Sequence, residues 1–322
     1  MGLNVANDSN QLAAFAVCLT TAPICIIATF LRFLSTRRAH RKAGWEDWFA
    51  LLSLIFFLIY VSLMISLLVV LDGRNLVHER VPAETIVLAT KIGYVMSAQF
   101  CPQQTFAKFS LLFLYYRIFS SVKSFRISLW VVGAVQLAWG IATYVVHYFT
   151  CTPVSKMWNP RLPGTCINHD AFLVGGESIN SFLDFVLVGL AVWMVQSLQM
   201  KTETKLKLSL LFALGGLAGV LGFVKIGEAY SGNYASLLDA VFGLSQQAIS
   251  IICCCAPIYR ALVPQLGFYH SIKSFSSRVF VRSKQQNSYP SSEKHSQDSR
   301  EAVHHQEEKM EHGQISEVAA RV

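Results

Sequence analysis

The sequence predicts an all-α membrane protein, a seven-helix transmembrane bundle with its N-terminus outside and its C-terminus inside. Three observations lead there. Only 14% of the 322 residues are charged and 53% are hydrophobic, with a mean hydropathy of +0.43, whereas soluble domains carry about 25% charge. Seven stretches are apolar over the ~20 residues that a helix needs to cross hydrocarbon. Lysines and arginines gather in alternate loops between them. The same numbers exclude other classes. Eight cysteines, three of them adjacent at Cys253, Cys254 and Cys255, are too sparse for a disulfide scaffold. A net charge of +8 and a pI near 9.1 do not point to nucleic acid, because the basic residues flank apolar runs and form no single patch.

The predicted spans are residues 11–31, 48–71, 86–114, 127–149, 173–199, 208–227 and 235–259. The first two hold no charge. The third is interrupted by Lys91 and Lys108, the fifth by Glu177 and Asp184, the sixth by Lys225 and the seventh by Asp239. None alternates with a period of two, which argues against an outer-membrane barrel. The first span could be read as a signal peptide. Its basic run (Arg32, Arg37, Arg38, Arg41, Lys42) follows it rather than precedes it, which favours a signal-anchor with an exterior N-terminus.

Each later loop agrees with that orientation. Arg37, Arg38, Arg41 and Lys42 against Glu46 place residues 35–46 inside. Residues 72–85 balance Arg74 and Arg80 with Asp72, Glu79 and Glu84, an exterior pattern. Arg117, Lys123 and Arg126 without an acid put residues 115–126 inside, and Lys201, Lys205 and Lys207 do the same for 200–207. Residues 150–170 are nearly neutral and hold Cys151 and Cys166, and the short 228–234 turn holds Glu228. Both are expected outside. In an oxidising compartment the two cysteines favour a disulfide over two free thiols. Asn7 opens a glycosylation sequon, but it lies so close to the first span that use is not expected.

The composition changes after residue 263. Residues 1–263 form the membrane domain and 264–322 a cytoplasmic tail. Within the tail, Phe268, Ile272, Phe275 and Val279 share one helical face with Lys273, Arg278 and Arg282 off it. This reads as a basic amphipathic helix over 268–282 on the inner leaflet, in preference to a frayed end of the seventh span. Residues 283–322 are polar and expected to be disordered.

Several motifs together resemble the fungal seven-helix "rhodopsin domain" family, which includes satratoxin-cluster and Pth-type membrane proteins. They are Gly44-Trp45-Glu46-Asp47-Trp48 at the start of the second span and Lys108-x-Ser110-x-Leu112-x-x-Tyr115-x-Arg117-x-Phe119. Cys151-Thr152-Pro153 with Trp158 and Cys166, the pair Asn180 and Asp184, and the basic turn from Lys201 to Lys207 complete the set. The likeness covers about residues 11–263. Glu46 stands where the family pattern has Asp, and Lys225 where it often has Arg. The resemblance implies a multi-pass plasma-membrane or endomembrane protein. Covalent retinal is not expected, because the seventh span has no lysine for a Schiff base. The usual receptor signatures are also missing, since the third span ends Tyr115-Tyr116-Arg117 and no Asn-Pro-x-x-Tyr closes the seventh.

A charge in hydrocarbon costs about 2.5–3.5 kcal/mol on insertion scales, so Lys108 and Asp184 need partners. Asn180 and Asp184 share a helix face at i, i+4, which predicts a buried interhelical pair of Lys108 and Asp184 with Asn180 completing the cluster. A second set, Arg32, Asp47 and Arg117, belongs to the cytoplasmic rim, as a packing contact in preference to a latch. A third set, Lys91, His147, Glu177, Lys225 and Asp239, is a candidate ligand mouth, with ordinary headgroup-level charge as the equal alternative. No catalytic set, metal site or cofactor is expected. The expected partners are the bilayer, a small-molecule ligand and a cytoplasmic signalling protein. Receptor-like sensing leads. A membrane-embedded enzyme of terpene-cyclase type would need a second acid beside Asp184, and a small transporter lacks support from inverted repeats.

The orientation has a direct test. Protease added to sealed cells should remove a tag placed before Met1 and spare one placed after Val322; the reverse pattern would overturn it.

Overall fold

Asp8 opens the first helix by accepting the backbone N–H of Asn10 on its side chain at 3.1 Å, satisfying a donor that the helix itself leaves unpaired. In the computed structural model, which describes residues 8–74, 81–119, 122–197, 214–227 and 237–256, seven helices follow in the described residues. They are α1 (Ser9–Arg38), α2 (Trp45–Leu71), α3 (Ala83–Phe119), α4 (Lys123–Tyr148), α5 (His169–Ser197), α6 (Leu214–Gly227) and α7 (Leu237–Cys255). Arg37 and Arg38 lie in the last turn of α1, where cations complement the negative end of the helix dipole. Asp47 does the reverse at the start of α2, where its carboxylate accepts the Gly44 N–H at 3.2 Å. Asp72, in the left-handed conformation at φ 44°, ends α2. Asn7, Glu228, the Lys201–Lys207 turn, the 268–282 helix and the 283–322 tail lie outside the described residues.

Between α4 and α5 the chain makes a small hairpin. Cys151-Thr152 (β1) pairs antiparallel with Thr165-Cys166 (β2), with a 3-10 turn at Val154–Met157 between them. Cys151 and Cys166 sit opposite each other in this register and are joined by a disulfide.

Five helices, α1, α2, α4, α5 and α7, are long and apolar enough to cross a bilayer by themselves. The sequence predicted seven such spans, and the two that differ do so for separate reasons. α3 has 37 residues, ample length, but buries Gln103, Gln104, Thr105, Lys108 and Ser110. It packs against α2, α4 and α7, so its polar residues face protein, where a bundle tolerates them. The described part of α6 covers about 21 Å at 1.5 Å per residue, short of the ~30 Å core.

The outer surface matches a bilayer environment. Leu19, Phe30, Trp130 and Phe182 are each roughly two-thirds exposed, a display of apolar side chains that a water-soluble surface would not carry. Inside, Phe57, Met64, Leu68, Leu244 and Ile251 are fully buried where α2 and α7 meet their neighbours. α5 and α6 approach closely through glycine, since a Cβ at Gly219 would come 2.9 Å from the Phe185 ring. Small residues at such a contact let van der Waals packing replace the missing hydrophobic drive between helices in lipid.

The hairpin disulfide is checked by mass spectrometry. A non-reduced digest should show the Cys151 and Cys166 peptides linked, and replacing both by Ser should lower stability by about 3 kcal/mol for a loop near 15 residues. Ready alkylation of both without reductant would contradict the bridge.

Candidate functional site

At the basic end of the bundle, Arg32 of α1 is fully buried. Its Nε donates to Asp47 Oδ1 at 2.8 Å and its Nη1 to the Cys254 carbonyl at 2.6 Å. The second Asp47 oxygen accepts from Gly44 N and from Thr36 Oγ1. One carboxylate thus caps α2 and holds the arginine that ties α1 to the end of α7. Arg117 does not join this set. It pairs with Glu46, which also lies 3.8 Å from Arg41. Consecutive helical residues diverge by about 100°, so Glu46 faces α3 while Asp47 faces α1, and the predicted trio separates into two ion pairs.

Midway along the bundle the structure brings Lys108, Asn180 and Asp184 together. The Lys108 ammonium donates to the Asn180 carbonyl at 2.8 Å and to Asn180 Oδ1 at 2.6 Å, and lies 3.2 Å from Asp184 Oδ1. Three N–H donors meet three acceptors, with the Trp139 ring 5.7 Å from the nitrogen. All three side chains are buried. Asp184 Oδ2 has no partner among the described residues, and Asp184 lines a cavity of about 20 Å³ with Ser250 and Cys253, room for about one water.

The five residues of the predicted mouth do not converge. Glu177 and Lys225 turn inward and pair at 3.4 Å. Gln246 Nε2 donates to Glu177 Oε1 at 2.7 Å, and Asn180 Nδ2 reaches the same oxygen at 3.4 Å. Asn180 therefore joins two ion pairs into one network across α3, α5, α6 and α7. Asp239 stands within electrostatic reach of Lys225. Lys91 and His147 go elsewhere, to the hairpin end. Lys91 is exposed, with its ammonium 5.5 Å from the Trp158 ring, while the His147 ring is buried, stacked on Tyr94 at 4.7 Å. Between these groups lies a second cavity of about 80 Å³, walled by Trp139, Phe172, His147 and Glu177. Glu177 lies on the same face of α5 as Asp184, two turns or about 10 Å away along the helix axis.

Residues that the sequence reading missed are amides. Gln103 donates to Ser53 Oγ at 3.1 Å and to the Gln247 carbonyl at 3.3 Å, and Ser250 donates to Gln104 Oε1 at 3.2 Å. Two Gln-Gln doublets at 103–104 and 246–247, each inside an apolar stretch, were the available signal. Among the described residues no cluster of His, Cys, Asp or Glu is arranged to hold a metal ion.

The Lys108–Asp184 pair predicts a coupling. Lys108→Met or Asp184→Asn leaves one buried charge without its partner, at a cost between the ~0.6 kcal/mol average for membrane polar contacts and the 3–5 kcal/mol of a broken buried pair. In a double-mutant cycle, folded yield in detergent should fall for each single change and partly recover in Lys108→Met/Asp184→Leu. Strictly additive losses would show that the two residues do not interact.

Comparison with known proteins follows the same segment. The fungal rhodopsin domain matches residues 31–265, which contain every residue of the networks above. Satratoxin biosynthesis SC1 cluster protein 4 of Stachybotrys chartarum is 45% identical over 183 residues, 56% of this chain and 68% of that protein. Wortmanamides biosynthesis cluster protein C of Talaromyces wortmannii is 32% identical over 285 residues, covering 87% of this chain and 78% of its own. A SAT4 family membrane protein of Emericella nidulans is 25% identical over 56% of this chain and 44% of its own. No solved structure matches. With its multi-pass helices and this match over most of its length, the chain belongs to the fungal rhodopsin domain family.

Proposed function

We propose that this protein senses a small molecule of secondary metabolism without covalent retinal and relays its presence to a cytoplasmic partner. The observation that carries the reading is the buried network linking α3, α5, α6 and α7 through Lys108, Asn180, Asp184, Glu177, Lys225 and Gln246. Paired charges in a low-dielectric interior hold helices in one arrangement, and a ligand that favours another pairing shifts the balance between them. Orphan acceptors such as Asp184 Oδ2 give a ligand or water something to bond. Relatives named as satratoxin and wortmanamide cluster proteins support the metabolic setting. The charged loops support an exterior N-terminus and an interior tail, with Arg37, Arg38, Arg41 and Arg117 on the face offered to the partner.

A second reading has its own observation. Glu177 and Asp184 on one α5 face supply the two acids that a membrane-embedded enzyme would use for protonation and deprotonation. One experiment separates the readings. Purified full-length protein is incubated with metabolites extracted from a producing culture, and its thermal midpoint and the extract composition are followed together. Sensing predicts saturable stabilisation, about 2.7 kcal/mol at a hundredfold excess over Kd, with the metabolite returned unchanged. Consumption of a compound, abolished by Glu177→Gln and by Asp184→Asn, would overturn sensing in favour of the enzyme. Neither stabilisation nor turnover would defeat both.

A further inference from the structure

Glu46 gathers two arginines from separate elements. Its Oε1 accepts from Arg117 Nη1 at the end of α3, and the same oxygen lies 3.8 Å from Arg41 Nη2 in the turn between α1 and α2. Glu46 is itself fixed in place. Its side chain is buried, and its backbone carbonyl accepts the Ser110 hydroxyl at 2.8 Å. The two guanidiniums repel each other, and a single carboxylate offsets only one of them. Both remain open to solvent, with 39% of the Arg41 side chain and 37% of the Arg117 side chain exposed. Each guanidinium has five N–H donors. Arg117 gives one of them to Glu46, and Arg41 gives none to the described residues.

The surroundings add to this excess of charge. Arg37, Arg38, Lys42, Lys123 and Arg126 are exposed at the same end and form no ion pair among the described residues. The acids described there, Glu46 and Asp47, are both buried. Tryptophan marks the depth. Trp45, next to Glu46, is 70% exposed and Trp48 is 53% exposed, and exposed indoles of a membrane protein sit at headgroup level. Orientation in the membrane needs only basic charge near the span ends. It does not need two guanidiniums held against one oxygen. Adjacent forks of N–H donors are what the oxygens of a phosphate group accept.

We infer that Arg41 and Arg117 form a docking site for a membrane lipid whose headgroup ends in a phosphomonoester, in the leaflet at the basic end. Such a headgroup carries about −1.5 to −2 charges and three acceptor oxygens, which match the pair of guanidiniums. A phosphodiester lipid brings a single phosphate charge and fewer free oxygens. Headgroup depth beside Trp45 favours a lipid over an acidic segment of a protein partner. The site goes beyond the sensing reading and does not rest on it, although it claims two of the arginines assigned there to the partner's face.

Native mass spectrometry of the full chain in uncharged detergent counts the bound lipid directly. The probes are phosphatidic acid and phosphatidylglycerol with the same acyl chains, offered in equal amounts. Wild type should retain one phosphatidic acid per chain, about tenfold over phosphatidylglycerol, the effect of one charge-assisted hydrogen bond. Arg41→Gln and Arg117→Lys should each erase that preference. Arg38→Gln, which removes charge from the same end, should weaken both lipids alike and keep it. Arg41→Gln leaves the Arg117–Glu46 pair intact, so it carries the test if Arg117→Lys does not fold, with the lipid-free thermal midpoint as the check. Equal retention of the two lipids by wild type, or a preference that survives Arg41→Gln, would overturn the site. Displacement of phosphatidic acid by glycerol 3-phosphate would also overturn it, in favour of a soluble phosphate. Displacement by a hexaglutamate peptide would give the surface to an acidic protein partner instead.

Discussion

A lysine ammonium inside a bilayer must find its acceptors in the protein, and Lys108 finds three of them on one helix. That requirement organises the bundle. To supply two bonds from Asn180 and one ionic contact from Asp184, α5 has to present the 177–184 face to α3 at one depth and one rotation. Glu177 is then carried inward on the same face, and Lys225 of α6 and Gln246 of α7 follow it. Apolar packing alone would leave sliding and rotation of these helices weakly opposed, because lipid is as apolar as leucine. The ion network sets their register.

The basic end uses the same logic with different chemistry. Arg32 is fully buried, yet it is held by a carboxylate that also caps a helix and by a carbonyl at the end of α7. Each group satisfies a backbone need as well as a charge. Both regions leave buried polar atoms without a partner among the described residues, Arg32 Nη2 at the basic end and Asp184 Oδ2, Gln246 Oε1 and both Gln247 side-chain polar atoms midbundle.

Small residues decide where helices touch and where they part. Gly219 brings α6 onto Phe185 and Gly140 brings α4 onto Thr105, while the phenylalanines of α2 and α3 stack beside the latter contact along a cavity of about 510 Å³ between α2, α3 and α4. The large cavity exists because one side of the α3–α4 contact is tight and the other is walled by rings that cannot bend into the space.

The sequence by itself determined the class of the protein, the membrane as its solvent, the spacing of its helices and the need of Lys108 for acceptors inside the bundle. Those follow from composition, from apolar run length and from the cost of an unpaired charge in hydrocarbon, none of which needs coordinates. The motif that carries Lys108 and the Asn180–Asp184 spacing were legible for the same reason. Rotation about each helix axis was not. Whether Glu177 points to a mouth or to Asn180, whether Arg117 meets Asp47 or Glu46, and whether Gln136 meets Thr105 all depend on about 100° per residue of turn. They also depend on which neighbour lies across each face. Those angles are set by packing between helices distant in the chain, and only the tertiary structure decided them.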